Sequence, residues 1–258
     1  MAYGRSLSAK IDSKFRRPLA YLRKSNEKIF FGFISLAIVS RVFSDVVMDR
    51  WGIHAGLIYP IRHLDGVPLY SDLFLALEWI ITTSGAALIL SPKFRRLGLA
   101  LALIGLLASW TQLFQNQKTL MIITILISFV KSPYDNRPAH RLLEWQLILM
   151  YLFTALAKLN GEFVTGATLQ TLLSDRLPVA LPTSAYAALS WTTIALEFLI
   201  PVLLLKRNIV VLFAIFILHG LFAVTLDDIW PFTFITYALA ILFFDSEDEI
   251  KSRDPHQL

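Results

Sequence analysis

The chain has 258 residues, of which 56% are hydrophobic and only 17% charged, and its mean hydropathy is +0.60. A soluble domain carries about a quarter charged residues, so this balance argues against a water-soluble globule and points to lipid as the solvent. The lack of cysteine excludes disulfides, thiolate catalysis and cysteine-ligated metals; the net charge of +5 comes without the aromatic or groove-reading elements of a nucleic-acid surface, so no nucleic-acid partner is expected.

Residues 1–28 form a basic N-terminal segment in which Leu7, Ile11 and Phe15 recur every four residues among Lys and Arg. It reads either as a charged tail or as a short amphipathic helix lying on anionic lipid and ended near Pro18. No small-residue cleavage pattern closes a short apolar run, so a cleaved signal peptide is not expected. Apolar segments then follow at about 29–48, 71–91, 97–115, 118–131, 142–160, 184–205, 208–226 and 229–245. A spanning helix needs about 20 mostly apolar residues. The segment 118–131 is short and follows its predecessor almost without a loop, so 97–131 reads as two spans or as one broken hairpin. The connection 49–70, with its Gly, Pro and His residues, predicts an ordered loop. The connection 159–183 mixes apolar and polar residues and predicts a surface-lying or re-entrant helix around Ala167–Leu173. An acidic, polar tail occupies 246–258, and no fixed-period repeat divides the membrane domain at 29–245.

Charge sets the orientation. Of 24 basic residues, eight precede the first apolar segment: Arg5, Lys10, Lys14, Arg16, Arg17, Arg23, Lys24 and Lys28. Lys93, Arg95, Arg96, Lys131, Arg137, Arg141, Lys206, Arg207, Lys251 and Arg253 fall in alternate connections and the tail. The opposite side holds only Arg50, Arg62, Lys118, Lys158 and Arg176. The positive-inside rule then places both termini in the cytoplasm and requires an even number of spans, eight or six. The predicted fold class is an all-α polytopic transmembrane bundle in a bacterial inner or plasma membrane.

An ionisable group at the bilayer centre costs roughly 2.5–3.5 kcal/mol, so each one should face protein or water. Arg41 and Asp45 share one face of the first segment at i,i+4, which suits either a local ion pair or an arginine that holds an anion. Glu78 lies in the outer third of the second segment, with Thr82 one turn deeper. Tyr151, Thr154 and Lys158 form a polar stripe ending in a lysine. Tyr186, Ser190, Thr193 and Glu197 share another face, with Glu197 near mid-membrane. His219 follows, then the acidic and aromatic turn Asp227, Asp228, Trp230 and Pro231. Each has a structural alternative: Lys158 snorkelling to the outer headgroups, His219 bonding a backbone carbonyl, Glu197 protonated within the bundle. Together they predict a polar cavity open to the outer side.

At 151–169, YLFTALAKLNGEFVTGATL resembles a motif of the vitamin K-dependent γ-carboxylase family and its bacterial relatives, the horizontally transferred transmembrane domain proteins. The matching residues are Lys158-Leu159-Asn160, then Phe163 and Gly166. WTQLFQNQKTL at 110–120 and HGLFAVTLDDIWPFTF at 219–234 resemble two further family segments, so the likeness spans about 29–245. The resemblance implies an outer-side site for a lipid-soluble quinone or hydroquinone, with Lys158 as a neutral-amine base and His219 and Gln117 as polar partners. Gln117 stands where the family carries a histidine, and the family's large extramembrane domain has no counterpart. Related lipid-quinone or peptide-modifying chemistry is therefore expected rather than full glutamate carboxylation. Arg41, Asp45, Glu78, Tyr151, Thr154, Asn160, Glu197, Asp227, Asp228 and Trp230 are the candidate binding residues. The alternative is a non-catalytic accessory or scaffold subunit, with membrane lipids around it and a membrane protein or secreted peptide as partner. Inverted halves with Gly- or Pro-broken helices, which would point to a transporter, are not seen, since Pro201 is the one proline inside a clear span and the other half has no matching break.

Overall fold

Long apolar runs without internal glycine-proline punctuation leave the backbone only its own hydrogen bonds to make, and the result here is helix. The computed structural model describes residues 25–46, 72–112, 116–174, 181–225 and 229–244, and every regular element among them is helical. In chain order these are α1 (Ser25–Val46), α2 (Asp72–Ile89), α3 (Arg95–Gln112), α4 (Asn116–Val130) and α5 (Arg137–Ala157). Two short helices follow, α6 (Gly161–Val164) and α7 (Ala167–Leu173), and then α8 (Thr183–Leu205), α9 (Ile209–Thr225) and α10 (Trp230–Leu242). Residues 1–24 of the N-terminal basic segment, the 49–70 connection, the acidic tail, Asp227 and Asp228 lie outside the described residues, and Ser25–Lys28 open α1.

All eight apolar segments form helices. The stretch 97–131 holds two separate helices, α3 and α4, an arrangement that two spans and a broken hairpin share. The short helix expected around Ala167–Leu173 is present as α7, and α6 precedes it as an additional turn. Among the described residues, α1 and α8 are the two helices long and apolar enough, by length and composition, to cross a membrane. Others are shorter: α4 has 15 residues, α9 has 17 and α10 has 13. At 1.5 Å per residue, α10 rises only about 20 Å. Local signals set several ends. Asn136 caps α5 by accepting from the Ala139 N–H at 3.0 Å, with a proline in the first turn. α8 continues past Pro201, which is buried among its neighbours.

Helix α10 is the innermost element: Pro231, Thr233 and every residue from 235 to 242 are buried. Its Tyr237 stacks on Phe216 of α9 at 4.0 Å between ring centroids, and Phe33 of α1 meets both Phe234 and Tyr237. Elsewhere several large apolar side chains lie on the surface while some charged ones are enclosed. Phe43, Leu73, Phe213, Ile217 and Val224 are each at least 63% exposed, whereas Arg41 and Lys118 are fully buried. Small residues let α2 and α3 approach closely. A Cβ on Gly98 would lie 2.6 Å from the Ile89 nitrogen and 2.7 Å from the Gly85 oxygen, and one on Gly105 would strike the Thr82 hydroxyl. This is the packing used where helices gain little from hydrophobic exclusion and rely on van der Waals contact.

Gly98→Ala should therefore cost about 1–3 kcal/mol, because rigid backbone has to move aside. Gly32→Ala meets nothing within 4 Å and should be neutral or mildly stabilising. Apparent melting temperatures of the two purified variants against the wild type check the contrast.

Candidate functional site

The buried ionisable groups fall into two constellations on different sets of helices. The first ties α1, α3 and α4 together. Arg41 Nε donates to Asp45 Oδ1 at 2.7 Å, and a second guanidinium nitrogen also contacts that oxygen. Lys118 Nζ lies 3.2 Å from the same Oδ1, and the Ser109 hydroxyl donates to Asp45 Oδ2 at 2.9 Å. Lys118 also donates to Ser109 through both its hydroxyl and its carbonyl oxygen. Arg41 and Lys118 are fully buried, with Asp45 2% exposed, so one carboxylate serves three donors away from water. Glu78 is buried on neighbouring α2, where Thr82 donates to its backbone carbonyl at 2.6 Å. Of the two readings of Arg41 and Asp45, the local i,i+4 ion pair is formed in the structure. Lys118, expected to be a loop cation, is instead a third member of a buried network.

The second constellation is built by α5, α8 and α9. Tyr151 and Lys158 stand two turns apart on α5 and at its C-terminal cap. Lys158 Nζ contacts Glu197 Oε1 of α8 rather than reaching out to solvent; its side chain is 21% exposed and that of Glu197 only 5%. Glu197 is thus paired with a cation inside the bundle. The Tyr151 hydroxyl and His219 Nε2 of α9 share a hydrogen bond of 2.6 Å, and both residues are buried. The His219 ring is enclosed by Tyr151, Phe222 and Phe232, and its backbone carbonyl accepts from Thr233. Four buried polar atoms on these helices lack a partner among the described residues: Glu197 Oε2, His219 Nδ1, Ser190 Oγ and, farther along α5, Gln146 Oε1. A buried acceptor or donor left unpaired costs about 1–3 kcal/mol, so such atoms mark places where a water or ligand completes the hydrogen bonding.

The motif around Lys158 has a mechanical basis. Asn160 caps α6: its Oδ1 accepts from the Phe163 N–H at 2.9 Å, and its Nδ2 donates to the Ala157 carbonyl. Both ends of its amide are therefore used in folding the chain back after α5. Phe163 is buried, and Lys158 Nζ lies over its ring at 5.6 Å. Gly166 has φ +83°, and a Cβ there would come within 2.4 Å of the Ala187 nitrogen. Asn160, Phe163 and Gly166 together pin the α6–α7 segment onto the start of α8 and turn Lys158 inward.

The remaining expected site residues are dispersed. Thr154 donates to the Met150 carbonyl of its own helix. Gln117 begins α4 beside Lys118, on a different helix from those that meet at Lys158. Trp230 is 45% exposed and packs on Phe234. Ser109 and Lys118 were missed from sequence. Ser109 looks like any small residue in an apolar helix, and Lys118 sits in a polar stretch that reads as a loop. No group of three His, Asp or Glu residues converges to hold a metal among the described residues.

No family model, curated protein or solved structure matches the chain. The resemblance at 151–169 therefore rests on its own residues.

Asp45→Ala takes the carboxylate from buried Lys118 and one partner from buried Arg41, and should destabilise the protein by about 3–5 kcal/mol. Adding Lys118→Met should restore part of that loss, because the lysine charge goes with it. Denaturant or thermal unfolding of the single and double variants gives the coupling, and strictly additive losses would contradict the shared network. Gly166→Ala should lose at least the 1–2 kcal/mol of a left-handed non-glycine residue, measured the same way.

Proposed function

We propose that this chain is a polytopic integral membrane protein whose outer-half site binds a lipid-soluble hydroquinone or a related weakly acidic substrate and removes its proton. The membrane setting is supported by two helices of spanning length, by the large apolar side chains on the exterior and by the burial of Arg41, Asp45, Glu78 and Lys118. Basic residues Lys93, Arg95, Arg96, Lys131, Arg141 and Arg207 gather at the end where α3 and α5 begin and α8 stops, which is the cytoplasmic end under the positive-inside rule. The chain alternates through the bundle, so Lys158 falls toward the opposite, outer side.

The observation that carries the reading is the Lys158–Glu197 pair, in which Glu197 Oε2 is buried and unpartnered. The family resemblance at 151–169 implies Lys158 as the base. With Lys158 engaged by Oε1, the acceptor left open is Glu197 Oε2. The substrate O–H bond breaks, the proton passes to that oxygen, and the Lys158 ammonium stands beside the oxyanion that forms. Fixed charge placed where charge develops is the largest common source of rate enhancement. His219 Nδ1 offers a second polar contact, while Tyr151 holds the ring through Nε2. The constellation around Asp45 has its donors already used and serves to hold α1, α3 and α4.

A deprotonated hydroquinone is oxidised by dioxygen far faster than its neutral form, so activity can be read as oxygen uptake. Glu197→Gln and Lys158→Ala should each lower hydroquinone-dependent uptake by ~10²-fold, the usual worth of a positioned proton acceptor. Equal rates for wild type and variants, or none above background for wild type, would sink the catalytic reading. Recovery of a stoichiometric protein partner that depends on Lys158, without turnover, would support a scaffold instead.

A further inference from the structure

The turn between α8 and α9 contains a residue out of place. The Asn208 N–H donates to the Leu203 carbonyl and the Arg207 N–H to the Leu204 carbonyl, the pair of bonds that closes a helix through a left-handed residue. That position normally takes glycine, yet here it is Arg207, with φ 50°. A left-handed L-residue is costly, and a retained one marks a position whose side chain is needed. The guanidinium turns back over the inner end of the bundle, donating to Glu144 Oε1 at 3.0 Å and to the Phe243 carbonyl at 3.1 Å.

Arg207 is one wall of a groove of about 270 Å³ between α5 and the end of α8. Arg141 is the other charged wall, and it has no hydrogen-bond or ion-pair partner among the described residues. Glu144 sits between them, already held by Arg207 and 3.5 Å from His140 Nε2. Two guanidinium groups against one carboxylate leave the groove one positive charge in excess. Below this rim the lining is apolar, with Trp145, Ile148, Leu204 and Leu205. Trp145 and Leu205 are more than half exposed and continue the apolar exterior.

We propose that this groove binds the phosphate headgroup of an anionic glycerophospholipid of the inner leaflet, with the acyl chains running over Trp145 and Leu205. The charge matches one phosphodiester, planar guanidinium groups pair with phosphate oxygens in two-pronged fashion, and tryptophan belongs at the headgroup boundary. The assignment rests on the membrane reading above, but not on the chemistry at Lys158.

The test uses the full chain reconstituted in vesicles of phosphatidylcholine with one-fifth phosphatidylglycerol, then gently extracted and weighed intact by native mass spectrometry. Wild type should retain phosphatidylglycerol in preference to phosphatidylcholine. Arg141→Gln, which disturbs no internal pair, should lose about fivefold of that preference, the factor for one basic residue at an anionic surface. Arg207→Gly keeps the turn conformation open to the chain and should lose at least as much. Equal retention of both lipids by wild type, or unchanged preference in both variants, overturns the headgroup site while leaving the membrane reading intact. Stabilisation by inorganic phosphate alone, matching that from lipid and abolished by Arg141→Gln, would assign the groove to free phosphate and overturn the lipid. Release of the protein from vesicles by alkaline carbonate wash would instead overturn the membrane reading itself.

Discussion

The carboxylate of Asp45 is the constraint around which one side of the bundle is arranged. It accepts from Arg41 on its own helix, from Ser109 on α3 and from Lys118 on α4, all out of reach of water. Charges in such surroundings tolerate little misplacement, because desolvation is repaid only by near-complete pairing. Three helices that otherwise offer one another interchangeable apolar faces are thereby fixed in rotation and depth. The glycine contacts of α2 with α3 add α2 to the same unit. The second unit, α5 with α8 and α9, is fixed in the same way by Lys158 with Glu197 and by Tyr151 with His219.

Much of this architecture can be read from the chain, for an identifiable reason. Apolar runs broken by charged or proline-containing stretches locate helices whatever the tertiary packing, so all eight segments and the short helix at Ala167–Leu173 were legible. Partnerships were harder. Arg41 with Asp45 is visible because helical spacing alone brings them together. Lys158 with Glu197 and Tyr151 with His219 are not, since nothing local says which faces of separate helices meet. Lys118 was misjudged because a lysine after Gln-Asn-Gln looks like a loop residue, and its burial depends on a carboxylate far away in sequence. Arg207 was counted only as a topological charge. That it stands in a glycine position emerges from the backbone, not from the residue order.

The Lys-Leu-Asn, Phe and Gly pattern shows how a short signature can be mostly architecture. Asn160 supplies a cap, Phe163 an anchor and ring face, and Gly166 the space for α8 to pass. Lys158 alone among them carries a charge into the interior. A segment that folds back on itself in this way gives a flexible side chain a fixed bearing, and that bearing is what pairs it with Glu197 rather than with solvent.

The burial of α10 has a consequence for how the molecule is made. It touches α1, α4, α5 and α9, and its surface is covered along nearly its whole length. It is also the last helix to leave the ribosome among those described. Until it arrives, the earlier helices surround a space they cannot fill, and the ring of Tyr237, Phe33 and Phe216 has no centre. Assembly cannot therefore proceed to completion helix by helix behind synthesis. The nascent chain must wait in a loosened arrangement and close only when the hairpin of α9 with α10 docks, which makes the emergence of that hairpin the step that commits the fold.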